Sequence, residues 1–346
     1  MATVSEIVVS AADPVAPKAP LRAERPKTAR VVSARASLRH RLRELLGSRE
    51  LLWFLVRKEL KVKYKNSVLG FAWSMLNPAL VLAVYDVVFS VFLKNGINHF
   101  VLFLFSGLLA WNLFNNALMG ASGAIVNNGA IVKKVAFPRE ILALSQVGTA
   151  CVFFLFQAAV FVLFLFGFQW NPTWTYMPLI PLALVALIIF TSAFAIFLSA
   201  VNVYLRDTQH LIEVALMAWF WGAPVVYAFG NVYPRLYSHR LFEIPGTHVS
   251  WLYLSDPLAI VVLTFQRALY GFKAVAGIAL PPGAKVPSGL QQCVGNSHLY
   301  CNYIVQPFPF VFYLVGLLII LAVSVVLFLA AMALFGRVEG NFAEEL

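Results

Sequence analysis

Charge is scarce in this sequence: Asp, Glu, Lys and Arg make up 12% of 346 residues, against 61% hydrophobic ones. A soluble globular domain is about a quarter charged and about half apolar. This composition, with a mean hydropathy of +0.80, therefore excludes an ordinary soluble domain and indicates a membrane protein. Cysteine is nearly absent, and three residues are too few for a disulfide scaffold. Residues 1–47 hold no apolar run of the kind a cleavable secretory signal needs, so insertion is expected to rely on internal spans. No G-x-x-x-x-G-K-[ST] phosphate loop occurs, which excludes nucleotide binding by that motif. H-E-x-x-H and paired metal-ligand spacings are missing too; His210, His239, His248 and His298 are scattered and read as structural, and no metal site is expected. No catalytic constellation stands out, so the chain is read as carrying no enzyme site.

The charge that is present has one dominant sign and a particular place. The formal net charge is +11, and 15 of the Lys and Arg residues lie before residue 67. Six segments reach the roughly 20 apolar residues a transmembrane helix needs: about 68–93, 100–126, 141–168, 175–203, 211–230 and 307–336. Lys133, Lys134 and Arg139 follow the second span and Arg206 follows the fourth, whereas the short loops of the other side hold only Lys94. By the positive-inside rule both termini are expected in the cytoplasm, with a multi-pass chain in the cytoplasmic (inner) membrane. The excess of base is thus an anchoring device, and nucleic acid is not an expected partner.

The expected fold is an all-α polytopic membrane protein with six transmembrane helices. The organisation reads as a cytoplasmic tail (1–47, largely disordered with a short basic helix), an amphipathic interface helix (48–66), the spans (67–336) and a cytoplasmic C-terminus (337–346). The outside carries a long segment (231–306), in which 256–272 is short, apolar and interrupted by Arg267; this suits a re-entrant or interfacial helix. Within 36–46, Leu38, Leu42 and Leu46 recur at i, i+4 beside Arg39 and Arg43, as in a helix on a membrane surface or a solvated charged helix. In the stretch "FLVRKELKVKYKNSVLG" (54–70), Val56, Leu60 and Tyr64 continue an apolar stripe from Leu52, while Arg57, Lys61 and Lys65 repeat on another face. Glu59 and Lys63 form an i, i+4 pair. Such a helix should lie in the cytoplasmic interface among membrane lipids, with its basic side toward phosphates. Outside, "CVGNSHLYC" offers Cys293 and Cys301 either as a disulfide on the oxidising side or as two thiols; Cys151, in mid-span, reads as packing.

The loop "NNGAIVKKVAFPRE" (127–140) suggests a short helix capped by Asn127 or Asn128, followed by Lys133 and Lys134 and broken by Pro138. It fits either a surface for a partner or an ordinary basic loop. Its sequence belongs to a larger pattern. "YKNSVLGFAWSMLNPAL" (64–80), "VKKVAFPREILALSQ" (132–146), "NVYLRDTQHLIE" (202–213), "WGAPVVY" (221–227) and "DPLAIVVLTFQRALYG" (256–271) occur in this order. Together they resemble the permease subunit of type 2 ABC exporters for polysaccharides, the class that exports O-antigen, teichoic acid and mycobacterial galactan. The resemblance spans about 49–337, with a longer tail before residue 48 and an insertion at 273–306.

The resemblance implies a homodimer working with two copies of a separate ATPase subunit, which would hold ATP and Mg, with no cofactor on this chain. It implies ATP-driven export of a lipid-linked polysaccharide, galactan or O-antigen-like. It assigns Lys133, Lys134, Phe137, Pro138, Arg139 and Glu140 to a coupling element on the ATPase, with Arg206 and Asp207 as a second contact. A sugar path between two permeases suits aromatic rings, which pack on the apolar C–H faces of sugars. Trp73, Tyr85, Trp111, Trp219, Trp221 and Tyr227 are the candidates, together with Asp86, the costliest of these to bury. For each ring singly, an interfacial belt or helix packing is an equal reading. Arg57, Lys58, Lys61 and Lys65 become candidates for meeting the ATPase and guiding a lipid pyrophosphate. Two other classes remain as alternatives: a membrane-embedded glycan-modifying transferase, which should show clustered ionisable groups at one interface, and an ion channel, for which Asn112, Asn115 and Asn116 are the only hint.

Overall fold

A computed structural model describes residues 38–63, 65, 73–92, 97–229, 253–271, 274–279, 291–293, 296–305 and 308–345. Two short basic helices come first, α1 (Leu38–Gly47) and α2 (Arg49–Lys63). Next is α3 (Trp73–Asp86), which runs on as a π-helical turn over Val87–Phe92. Then follow α4 (Phe100–Asn127), α5 (Gly129–Lys134), α6 (Glu140–Gly167), α7 (Leu179–Tyr204) and α8 (Thr208–Gly222). The helix α9 (Pro257–Phe265) continues as a π turn over Gln266–Tyr270. After strands β1 (Ala274–Ala279), β2 (Gln291–Cys293) and β3 (Asn296–Tyr303), the chain ends in α10 (Phe310–Val338) and α11 (Phe342–Glu345).

The apolar runs that are helical all round become the long helices. Among the described residues four helices are long and apolar enough to cross a membrane: Phe100–Asn127, Glu140–Gly167, Leu179–Tyr204 and Phe310–Asn341. At about 1.5 Å per residue each exceeds a hydrocarbon layer of about 30 Å. The helix α4 is central and almost wholly buried, packed on α3, α6, α7, α8 and α9. It runs antiparallel to α6, while α7 and α10 lie along each other in parallel. The ends of α4, α7 and α10, the start of α6 and the helices α1, α5 and α11 therefore share one end of the bundle, called here the α1 end.

The other two expected spans are shorter. In the first, Pro78 sits inside α3 and the apolar helix is Pro78–Phe92, a proline in a helix interior removing one backbone donor. The fifth stops at Gly222 because Ala223, extended at φ −83° and ψ 146°, precedes Pro224, where the proline ring disfavours helical geometry. The spans are helical, as the all-α expectation has it, and one further segment departs from it. Residues 274–303 contain a three-stranded antiparallel sheet in the order β1-β3-β2. A short Ala/Val/Ile run bounded by the Pro- and Gly-rich 280–290 has the signature of a strand, and a reading guided by helical periodicity passes over it. In the register Cys301 faces Gln291 and Cys293 faces Asn296; the cysteine side chains lie outside the described residues, as do Tyr64 and Asn66–Gly70.

The apolar stripe of α2 is turned toward the protein. Leu55 and Val56 are buried against α6, and it is Trp53 and Phe54 that stand exposed, with Arg57 5.0 Å over the Trp53 ring. Lys63 lies 4.3 Å from the Phe153 ring centroid, and the Glu59 carboxylate pairs with Lys58 at 3.6 Å.

Candidate functional site

Three distant segments meet at the α1 end around one buried guanidinium. Arg41 Nη1 donates to Glu140 Oε1 at 2.6 Å, and Nη2 is ion-paired with Glu339 Oε2 at 2.8 Å. Arg41, Glu140 and Glu339 are 6%, 1% and 5% exposed. Burial opposes the charge of Arg41, but the two carboxylates more than offset this, so the guanidinium is held more firmly protonated than usual. The fit depends on Gly336, where a Cβ would stand 2.7 Å from Arg41 Cζ. Beside this triad Arg139 Nη1 donates to the Glu339 carbonyl at 2.6 Å, and Tyr204 Oη donates to the Val338 carbonyl at 2.9 Å. Phe342 is fully buried, with the rings of Tyr204 and Phe335 packed edge-on against it.

The loop between α4 and α6 is thus held at both ends. Lys58 Nζ donates to Asn128 Oδ1 at 2.9 Å, and the Asn128 amide donates to the Ala124 carbonyl. Between these anchors Lys133, Lys134 and Val135 are exposed, while Phe137, Pro138 and Arg139 are half-buried and Glu140 is engaged within the chain. Arg206, Asp207 and Leu205 are exposed on the turn before α8. This end therefore presents a face of mixed basic and apolar groups.

A second feature is an open groove of about 280 Å³ between α3, α4 and α8, lined by Tyr85, Trp111, Asn112, Asn115, Glu213 and Phe220 together with aliphatic side chains. Phe220 organises it: its ring centroid lies 5.3 Å from Trp111, 6.5 Å from Tyr85 and 5.6 Å from Trp221. One carboxylate, amides and aromatic faces lie together here, a lining that can accept hydroxyl hydrogen bonds and cover C–H surfaces at once. Asn112 also donates to Gln157 Oε1 at 3.0 Å.

The aromatic candidates separate into groups. Tyr85 and Trp111 line the groove, and Trp221, outside that lining, is exposed with its ring against Phe220. Trp73 is exposed at the start of α3, and Asp86 accepts from Ser90 Oγ at 2.9 Å. Trp219 turns away from the groove, packing between Phe114 and Phe190 and donating Nε1 to both Asp256 oxygens at 3.1 Å. Tyr227 pairs with the Tyr253 hydroxyl at 2.7 Å.

These last contacts define α9. Asp256 caps the helix by accepting from the Leu258 N–H at 3.1 Å, with Pro257 in the first turn. Because Trp219 contacts the middle of α4 and α7, α9 starts at mid-height of the bundle and runs toward the end opposite α1. The carbonyl of Pro224, released where α8 breaks, accepts from Gln266 Nε2 at 2.8 Å. Gly107 on α4 admits this amide, since a Cβ there would meet it at 3.0 Å. Residues 258–270 are buried on every side.

Sequence reasoning missed Arg41, Glu339, Asp256, Gln266 and Phe220. Asp256 had a local signal, an Asp-Pro pair before an apolar run; the others had none, because their partners are remote in sequence. Among the described residues no three His, Cys, Asp or Glu side chains gather as a metal site.

Known proteins resemble a large part of this chain. A match to the ABC-2 type transporter family covers residues 50–243. An O-antigen export system permease protein RfbA of Myxococcus xanthus is 38% identical over 192 residues, 55% of this chain and 73% of the relative. A protein of the same name from Klebsiella pneumoniae is 30% identical over 217 residues, 63% of this chain and 79% of the relative.

Proposed function

For a chain that belongs to the ABC-2 type transporter family, we propose the role of membrane subunit in an ATP-driven exporter of a lipid-linked polysaccharide, O-antigen-like or galactan. The observation that carries this reading is the 38% identity to an O-antigen export permease over 73% of that protein's length. Hydrolysis of ATP with Mg belongs to a separate ATPase subunit. The chain works as a homodimer with six spans in the cytoplasmic membrane, the α1 end facing the cytoplasm.

The loop between α4 and α6, with Lys133 and Lys134 exposed, seats the ATPase, and Arg206 and Asp207 on the next turn add a second contact. Two grooves of the kind between α3, α4 and α8, one from each copy, form the sugar path. Tyr85, Trp111, Phe220 and Trp221 offer ring faces to sugar C–H groups, while Glu213, Asn112 and Asn115 take hydroxyls. Such contacts slide: stacking on an aromatic face is tolerant of position, so a long polymer can advance without being trapped at one subsite. Arg57, Lys58, Lys61 and Lys65 on and after α2 meet the anionic pyrophosphate end of the lipid carrier.

The test is export of the glycan by cells carrying the chain with or without the ATPase that co-purifies with it. Export is expected only with the ATPase; full export in its absence overturns the proposal. Replacing Tyr85 and Trp221 together by Ala should lower export while leaving the assembled complex intact, and undiminished export removes the groove from the path.

A further inference from the structure

The buried charges at the α1 end have no place in a sugar path, and they are not part of the exposed docking face. Two of the three, Arg41 and Glu339, lie outside the residues 50–243 that match the family. The third, Glu140, closes the loop that follows α5. We propose that Arg41 is a positioning residue for energy coupling: it ties the end of that loop to α10, so that a push on the loop moves α6 and α10 together. This rests on the reading of the loop as the ATPase seat.

The geometry supports a tie of this kind. Arg41 donates to Glu140 at 2.6 Å, a hydrogen bond whose direction the planar guanidinium fixes, and its other terminal nitrogen lies 2.8 Å from the Glu339 carboxylate as an ion pair. Arg139, next to Glu140, donates to the Glu339 carbonyl at 2.6 Å, so the loop end and the end of α10 are joined twice. At the loop's beginning Lys58 holds Asn128 at 2.9 Å. The two N-terminal helices therefore grip the loop at its two ends, leaving Lys133 and Lys134 exposed between the grips. A docking loop held only by its own backbone would yield under load; one clamped at both ends transmits it. The buried triad is only weakly screened by salt, and one side chain short of partners there is strongly unfavourable, which makes the joint stiff.

The sharpest probe displaces Arg41 without deleting any charge. Gly336→Ala puts a methyl 2.7 Å from Arg41 Cζ, so the guanidinium must move out of register. In the full-length complex with its co-purifying ATPase, hydrogen exchange of amides 129–139 is expected to rise about tenfold or more, while α4 stays protected. ATP hydrolysis should persist with export reduced several-fold, the mark of uncoupling. Arg41→Lys lowers export when Gly336 is intact. In the Gly336→Ala background it should raise export, because the slimmer chain relieves the crowding; this reversal of sign is not expected of a merely structural contact. Unchanged exchange at 129–139, exchange rising uniformly across the bundle, or hydrolysis and export falling in proportion each overturns the proposal. Lys133→Glu with Lys134→Glu separates it from the underlying reading: loss of the co-purifying ATPase supports the seat, and full retention with full export removes the seat and, with it, the coupling role of Arg41.

Discussion

The two ends of the bundle are joined by different physics. At the α1 end, segments far apart in the chain meet through charge: one arginine, two glutamates and a lysine–asparagine contact. At the opposite end the joints are mainly aromatic, and the guanidinium of Arg267 lies among them, 4.5 Å over the Tyr176 ring. Trp170 stacks on Tyr270 at 5.0 Å and donates to its carbonyl at 2.9 Å. Tyr270 donates to the Asn98 carbonyl at 2.7 Å, and Tyr176 donates to the Phe308 carbonyl at 3.1 Å. Rings held by their own area tolerate loss of any one hydrogen bond, whereas a buried charge depends on keeping a matching counter-charge. The first kind of joint holds a shape; the second enforces a register.

That contrast can be broken by substitution. Arg41→Met leaves two carboxylates facing each other in a buried site, and removing one partner of a buried ion pair costs about 3–5 kcal/mol. The expected result is a large drop in the thermal midpoint of the detergent-purified chain, with early proteolysis at the α1 end. Trp170→Ala should cost a similar or slightly smaller amount, about 3–5 kcal/mol on the scale of large aromatic truncations, with proteolysis beginning at the opposite end. Tyr270→Phe keeps the ring and deletes one hydroxyl, so about 1 kcal/mol is expected by the same thermal measurement. Glu339→Gln is the mildest. It turns a triad of net charge −1 into a matched pair, and a shift within about 1 kcal/mol is expected. A loss as large as that of Arg41→Met would show that Glu339, and not the balance of charge, holds the joint.

The same contrast explains what could be read without a structure. Length and apolarity alone located the four long helices: the expected spans 100–126, 141–168, 175–203 and 307–336 lie within a few residues of Phe100–Asn127, Glu140–Gly167, Leu179–Tyr204 and Phe310–Asn341. These depend on local composition, which a sequence displays. The helix of 36–46 was legible too, but not which arginine turns inward. Arg39, Arg41 and Arg43 differ only in phase, and the partner that selects Arg41 is 99 residues away. The aromatic candidates show a similar limit. Tyr85 and Trp111 meet in one groove because α3 packs on α4, while Trp219, two residues before Trp221, faces the core and Asp256. Helical phase separates such neighbours, but only packing says which phase faces what.

Helix α9 has a consequence for how the chain is made. It packs against α4 and α7, synthesised before it, and against α10, synthesised after it. Its 14 residues, Pro257–Tyr270, are too few to cross a bilayer alone, and Gln266 and Arg267 would be costly in bare lipid. The segment therefore cannot enter the membrane as an independent unit during synthesis. It must be received into a cleft that the earlier helices have opened, and α10 then closes that cleft like the last stave of a barrel. A chain stopped short of α10 would leave one flank of α9 uncovered.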